Sequence, residues 1–101
     1  MSMKLYVDDL RMPPAGFVLA RSVNAAKEII LDAENKGETI DLIDLDHDMG
    51  DFASDGGDAI CLLDWLVERD TLYPISVHTM NPVGAANMMR MIRRFWPDGE
   101  Y

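Results

Sequence analysis

The chain has 101 residues, a formal net charge of -9 and a single cysteine. That length suits one domain over residues 1–101, with a modest core that needs no disulfide or structural metal, and Cys61 alone cannot form an internal disulfide, which fits a reducing cytoplasm. The acidic balance argues against a broad nucleic-acid surface. No apolar run approaches the roughly 20 residues of a membrane helix, so neither a membrane nor a polyanion is the expected partner.

In chain order, "MKLYVDD" reads as a first strand rising into an acidic end, followed by the proline-rich loop "DLRMPPAG" and a second strand, "FVLAR". No helix separates these two strands. Loop 9–16 reaches roughly 26 Å if extended, enough to return for parallel pairing, and antiparallel pairing stays open. Ser22 is placed to cap a helix through "VNAAKEIILDAENKG", where Ala26, Ile29, Ile30 and Ala33 share a stripe and the last turn falls near Lys36.

The third strand is "TIDLIDLD". In the helix that follows, "DAICLLDWLVERD", Ala59, Leu62, Leu63, Leu66 and Val67 share a face, with Asp55 or Asp58 as cap and Cys61 as a small core residue. The fourth strand is "YPISVHT". Asn81 and Pro82 make a cap and first-turn pair for a last helix over about 82–95, with an apolar stripe of Ala85, Met88, Met89, Ile92 and Phe95. Arg90, Arg93 and Arg94 lie on its outer side, where a solvated face is the ordinary reading.

The aspartates in "DLIDLDHDMGD" require compensation. If the strands are parallel, Asp8 and Asp9, Asp46 to Asp48 and His78 to Asn81 emerge at one carboxyl edge, where open α/β sheets bind ligands. Clustered carboxylates cannot all stay ionised without a cation. Magnesium suits this oxygen-rich set, with Asp8 or Asp9 and Asp46 as its ligands, and joins carboxylates to substrate phosphates. Thr79 offers a hydroxyl beside a helix start suited to an anion, and "HTMNPVG" also reads as a plain strand-to-helix turn. For His78, ligand and core readings stand level. Asp44 shares a strand face with Asp46 but lies deeper, so it needs a partner, a raised pKa or an exposed face.

The segments "KLYVDDLRMPP", "IDLDHDMGD" and "VHTMNPVGAANM" together resemble the cyclic-phosphate processing receiver-like family, a divergent relative of two-component receiver domains. The resemblance implies a compact receiver-like, flavodoxin-like α/β fold, about four mostly parallel strands and three helices. It places magnesium on Asp8, Asp9 and Asp46, and the hydroxyl that ends the fourth strand on Thr79. The receiver's first helix and its fifth strand with the lysine are missing. Asp46-His47-Asp48 is also similar to the D-x-D of haloacid-dehalogenase-type phosphatases.

The resulting expectation is a phosphoesterase or phosphotransfer domain. Asp46 would hold metal or attack phosphorus, His47 or Asp48 would transfer protons, and His78, Thr79 and Asn81 would hold phosphate. The family implies a small phosphorylated ligand, a cyclic nucleotide phosphate or a cyclic RNA end. The alternatives are a non-catalytic regulatory or interaction module and a dimerisation unit. With three helices on one face of the sheet, the other face should be covered by the proline-rich loop, the C-terminal tail or the second subunit of a homodimer.

Overall fold

The buried aliphatic residues of the strands point to one side of the sheet, and the helices cover that side. The computed structural model describes residues 2–96. It contains β1 (Ser2–Val7), β2 (Phe17–Ala20), α1 (Val23–Asn35), β3 (Thr39–Leu45), a 3-10 turn (Gly50–Ser54), α2 (Ala59–Arg69), β4 (Ile75–Val77) and α3 (Pro82–Phe95). The strand order is β2-β1-β3-β4 and every pairing is parallel. The loop after β1 therefore returns along the strand without a helix, and antiparallel pairing of β1 with β2 is not the arrangement adopted.

Leu5 and Val7 of β1, Ile43 and Leu45 of β3 and Ile75 of β4 meet Ala26 and Ile30 of α1, Leu62, Leu63 and Leu66 of α2, and Met88 and Ile92 of α3 in one buried cluster. Residues that alternate with these point to the opposite face: Lys4, Tyr6, Leu42, Asp44 and Ser76. Tyr6 is nevertheless buried. Its ring stacks on His78 with centroids 4.4 Å apart and meets Phe17 edge-on at 6.1 Å. The proline-rich loop also contributes cover, since Arg11 donates to the His78 carbonyl at 3.5 Å. Residues 97–101 of the expected C-terminal tail lie outside the described residues.

Helix starts follow the local chemistry in two cases of three. The Ser22 hydroxyl accepts from the Ala25 amide, and Asn81 accepts from the Gly84 amide with Pro82 in the first turn. Asp58 occupies the cap position of α2, but its carboxylate accepts from the Met49 amide at 2.9 Å and does not cap the helix. Asp55 is drawn to α1 instead, accepting from Ser22 at 2.7 Å and Asn24 at 3.1 Å. This ties the segment after β3 to the start of α1 and limits where the acidic loop can lie.

On the far side, Glu34 of α1 accepts from Arg69 of α2 at 2.5 Å and from the Tyr73 hydroxyl. Burial and the Glu34 carboxylate push the Tyr73 hydroxyl up to about 12. Trp96, buried at the end of α3, donates its indole N–H to the Tyr73 carbonyl at 2.7 Å and so fastens that helix to the chain before β4. Truncating it removes both packing and a hydrogen bond. Trp96→Ala should cost about 3–5 kcal/mol in urea denaturation, a large share of a small domain's stability.

Candidate active site at the carboxyl edge of the sheet

Parallel pairing sends the ends of β1, β3 and β4 to one edge, where Asp8, Asp9 and Asp46 each place a carboxylate oxygen within 4.8 Å of the others. Asp8 is almost fully buried. Its Oδ1 accepts from the amides of Leu10 and Arg11, both at 2.9 Å, and its Oδ2 accepts from His78 Nε2 at 2.9 Å. A carboxylate has about four acceptor positions, so these three donors leave one on Oδ2. Asp46 Oδ1 accepts from the His47 amide at 2.8 Å.

His78 lies between two carboxylates, with Nδ1 2.5 Å from Asp44 Oδ1 and Nε2 2.9 Å from Asp8 Oδ2. A neutral imidazole carries one N–H, so two carboxylate partners favour the imidazolium. Burial opposes that charge, but the bonds to Asp44 and Asp8 outweigh it and raise the His78 pKa. Burial likewise works against ionised Asp8, and the Arg11 and Leu10 amides with His78 overcome it to hold the carboxyl low. Asp9 goes the other way: burial and the nearby Asp8 and Asp46 charges raise it, against its own amide and Arg21.

A second group of side chains joins the end of β3 to the start of α3. His47 Nδ1 is 2.7 Å from Asp48 Oδ1, and Asn81 Nδ2 donates to both Asp48 oxygens at 3.2 and 3.3 Å. The His47 bond, followed by that from Asn81, holds the Asp48 carboxyl below its ordinary value. The imidazole of His47 lies directly on Gly84, where a Cβ would overlap the ring. Gly50, at a φ of 54°, similarly lets the loop backbone pass against Asp9.

The residues expected to hold phosphate differ in what they have free. Both ring nitrogens of His78 are engaged, and the Asn81 side chain is used as cap and clasp. The Thr79 hydroxyl accepts from the Asn81 amide at 3.2 Å and keeps its own proton to donate. Sequence reasoning did not single out Tyr6, Arg11, Arg21, Gly50 or Gly84. Arg21 braces the loop by donating to the Arg11 carbonyl at 3.0 Å and the Asp8 carbonyl at 3.4 Å. The signal for the deeper pairing was present: Asp44 was an unexplained carboxylate inside a strand, and His78, expected to hold phosphate but level between ligand and core readings, follows the strand next to it.

A parallel sheet with helices on one face and acidic strand ends at its carboxyl edge defines a receiver-like α/β fold. The family model for the Cyclic-phosphate processing Receiver domain matches residues 3–94, and the chain belongs to that family. No curated protein and no solved structure matches it. Among the described residues no helix is long and apolar enough to cross a membrane.

Two outcomes test this geometry. A raised His78 pKa contributes stability that is full below the ordinary value of 6.5 and lost as pH rises through the raised one; the lowered Asp8 pKa contributes stability present above 3.8 and lost as pH falls. In magnesium-free buffer, denaturation across pH should therefore show the network's contribution largest between about 3.8 and 6.5, with His78→Gln flattening the alkaline limb. In the second test, Gly84→Ala should keep α3 folded, since alanine favours helix, yet displace the His47 ring. Carboxyl-detected NMR should then find the Asp48 pKa moving up towards its ordinary value.

Proposed function

We propose that this domain hydrolyses a cyclic phosphate ester, such as a cyclic nucleotide phosphate or a cyclic RNA end, with Mg2+ held by Asp8, Asp9 and Asp46. The observation that carries this reading is the meeting of those three carboxylates, with the Asp46 carboxylate bonded to the amide of His47, whose ring pairs with Asp48. The donor set is all oxygen, and the acceptor position left on Asp8 suits a hard cation that also keeps waters and a phosphate oxygen. Bound Mg2+ would neutralise the phosphoryl charge and polarise a phosphoryl oxygen.

The chain's own residues supply the proton transfer and the orientation. Asp48 accepts from His47 Nδ1, which sets the tautomer and leaves Nε2, without a hydrogen-bond partner among the described residues, as the base. It takes a proton from water as the water oxygen bonds to phosphorus. One of the two ester P–O bonds in the ring breaks and its oxygen takes up the proton that His47 had accepted, so one water is consumed, His47 is restored and a monoester results. Thr79 donates its hydroxyl to a phosphoryl oxygen, and Asn81 keeps Asp48 in place by clasping both of its oxygens. Positioning and charge neutralisation account for much of phosphoryl-transfer catalysis, so a small acidic domain is sufficient.

A regulatory module that binds without turnover is the second reading, favoured by the placement of the lysines. Lys4 lies over Phe17, Lys27 over Trp65, and Lys36 pairs with Asp32, so none of the three stands in for the receiver lysine. Phosphorus NMR with 2′,3′-cyclic nucleotides separates the two. Hydrolysis is expected to require Mg2+, to stop with chelator, and to fall by about 10²- to 10⁴-fold in His47→Gln. Asp46→Asn should lose it as well. Saturable binding with no product would give the site to the regulatory reading, whereas full activity in Asp46→Asn would overturn the role assigned to Asp46.

A further inference from the structure

Asp44 has no place in the chemistry just described, yet it is a carboxylate set within β3, opposite Tyr6 on one neighbouring strand and Ser76 on the other. Its side chain is only 18% exposed. A charge there, one full strand alternation below Asp46, requires a partner that repays its loss of water. That partner is His78, at 2.5 Å, and the other ring nitrogen of His78 reaches Asp8 Oδ2. Tyr6, stacked nearly parallel to the imidazole with planes 8° apart, keeps the ring from tilting.

From this chain of contacts we infer that Asp44, acting through His78, is a positioning residue that sets the orientation of the Asp8 carboxylate towards the metal. The inference rests on the magnesium reading above. Without His78, the hydrogen bonds on Asp8 are those of the two loop amides to Oδ1, and Oδ2 keeps only the longer approach of the exposed Arg11 at 3.9 Å. With His78 on Oδ2 both oxygens are fixed, and the carboxylate that comes within 4.8 Å of Asp9 and Asp46 is held as a unit. Asp44 in turn fixes the imidazole from behind, as outer carboxylates do for histidines in metal sites, where loss of the outer partner costs 10- to 100-fold in affinity or activity.

Plain electrostatics makes a different prediction, which allows a clean test. Removing the negative charge of Asp44 weakens attraction for a cation with or without positioning. Replacing His78 takes no negative charge from the edge, so cation binding should be unchanged or tighter if charge alone matters, and weaker if orientation matters. Mg2+ affinity of the full chain is therefore measured by calorimetry for wild type, Asp44→Asn and His78→Gln. Thermal melts check folding, and the amide NMR shifts of Leu10 and Arg11 report on Asp8 Oδ1 before metal is added.

Weakening by about 10- to 100-fold in both variants, with shifted Leu10 and Arg11 amides in the metal-free protein, is the expected result. His78→Gln binding Mg2+ as tightly as wild type, or tighter, overturns the positioning role while leaving the magnesium site standing. Wild type that fails to bind Mg2+ overturns both. If Asp44→Asn does not fold, His78→Gln alone decides, because it breaks the chain one residue nearer the site and carries the opposite charge prediction.

Discussion

The carboxyl edge of this sheet depends on how negative charge is tolerated where three parallel strands end together. Asp8, Asp9 and Asp46 each place a carboxylate oxygen within 4.8 Å of the others, and burial, joined by the charges of Asp8 and Asp46, raises the Asp9 pKa. Asp8 escapes because it is given three hydrogen-bond donors, two amides from the loop that follows it and the imidazole of His78. The loop amides are available only because the chain turns sharply after β1, and Arg21 holds that turn through two carbonyls. The same edge leaves Asp9 and one position of Asp8 with little compensation from the described residues.

Much of this architecture was legible in the sequence. The short β-like segments, the Ser22 and Asn81 caps and the apolar stripe of α3 each placed an element, and the last helix spans Pro82–Phe95 as its pattern requires. The three acidic and polar segments were legible as strand ends that would converge once the strands ran parallel. Pairings between distant side chains were harder to read. Asp55 looked like a cap for the helix that follows it, but two donors at the start of α1 compete for its oxygens, and nothing local reveals donors thirty residues away. His78 gave equal signals for core and ligand, because its role is set by Asp44, a residue in a neighbouring strand. The positions of Gly50 and Gly84 matter for what they let approach, Asp9 and His47, which spacing alone does not encode.

The departures from the receiver pattern change how positive charge reaches the site. The described lysines are committed elsewhere, and the cations at this edge are Arg11, Arg21 and His78. Arg11 approaches Asp8 Oδ2 at 3.9 Å but is substantially exposed, so its ion pair is screened by water. His78 is held between two carboxylates in a partly buried position, where a charge-assisted hydrogen bond is stronger and more directional. An imidazole fixed one residue past β4 thus does more to shape the site than an exposed guanidinium on its rim.

The missing helix between β1 and β2 bears on the same point. A parallel sheet covered on both faces has apolar strands throughout, and a carboxylate halfway along a central strand would be buried without water or room for a partner. Here all three helices pack on one side, and the opposite face is covered by a thin layer made of Phe17, Tyr6, His78 and the Arg11 side chain. That layer is polar enough to hold an ion pair and thin enough to leave Asp44 partly solvated. Losing one helix therefore frees a sheet face to carry a line of side chains from the middle of β3 to the end of β1. A residue well inside the sheet is thereby connected to the carboxylates at its edge.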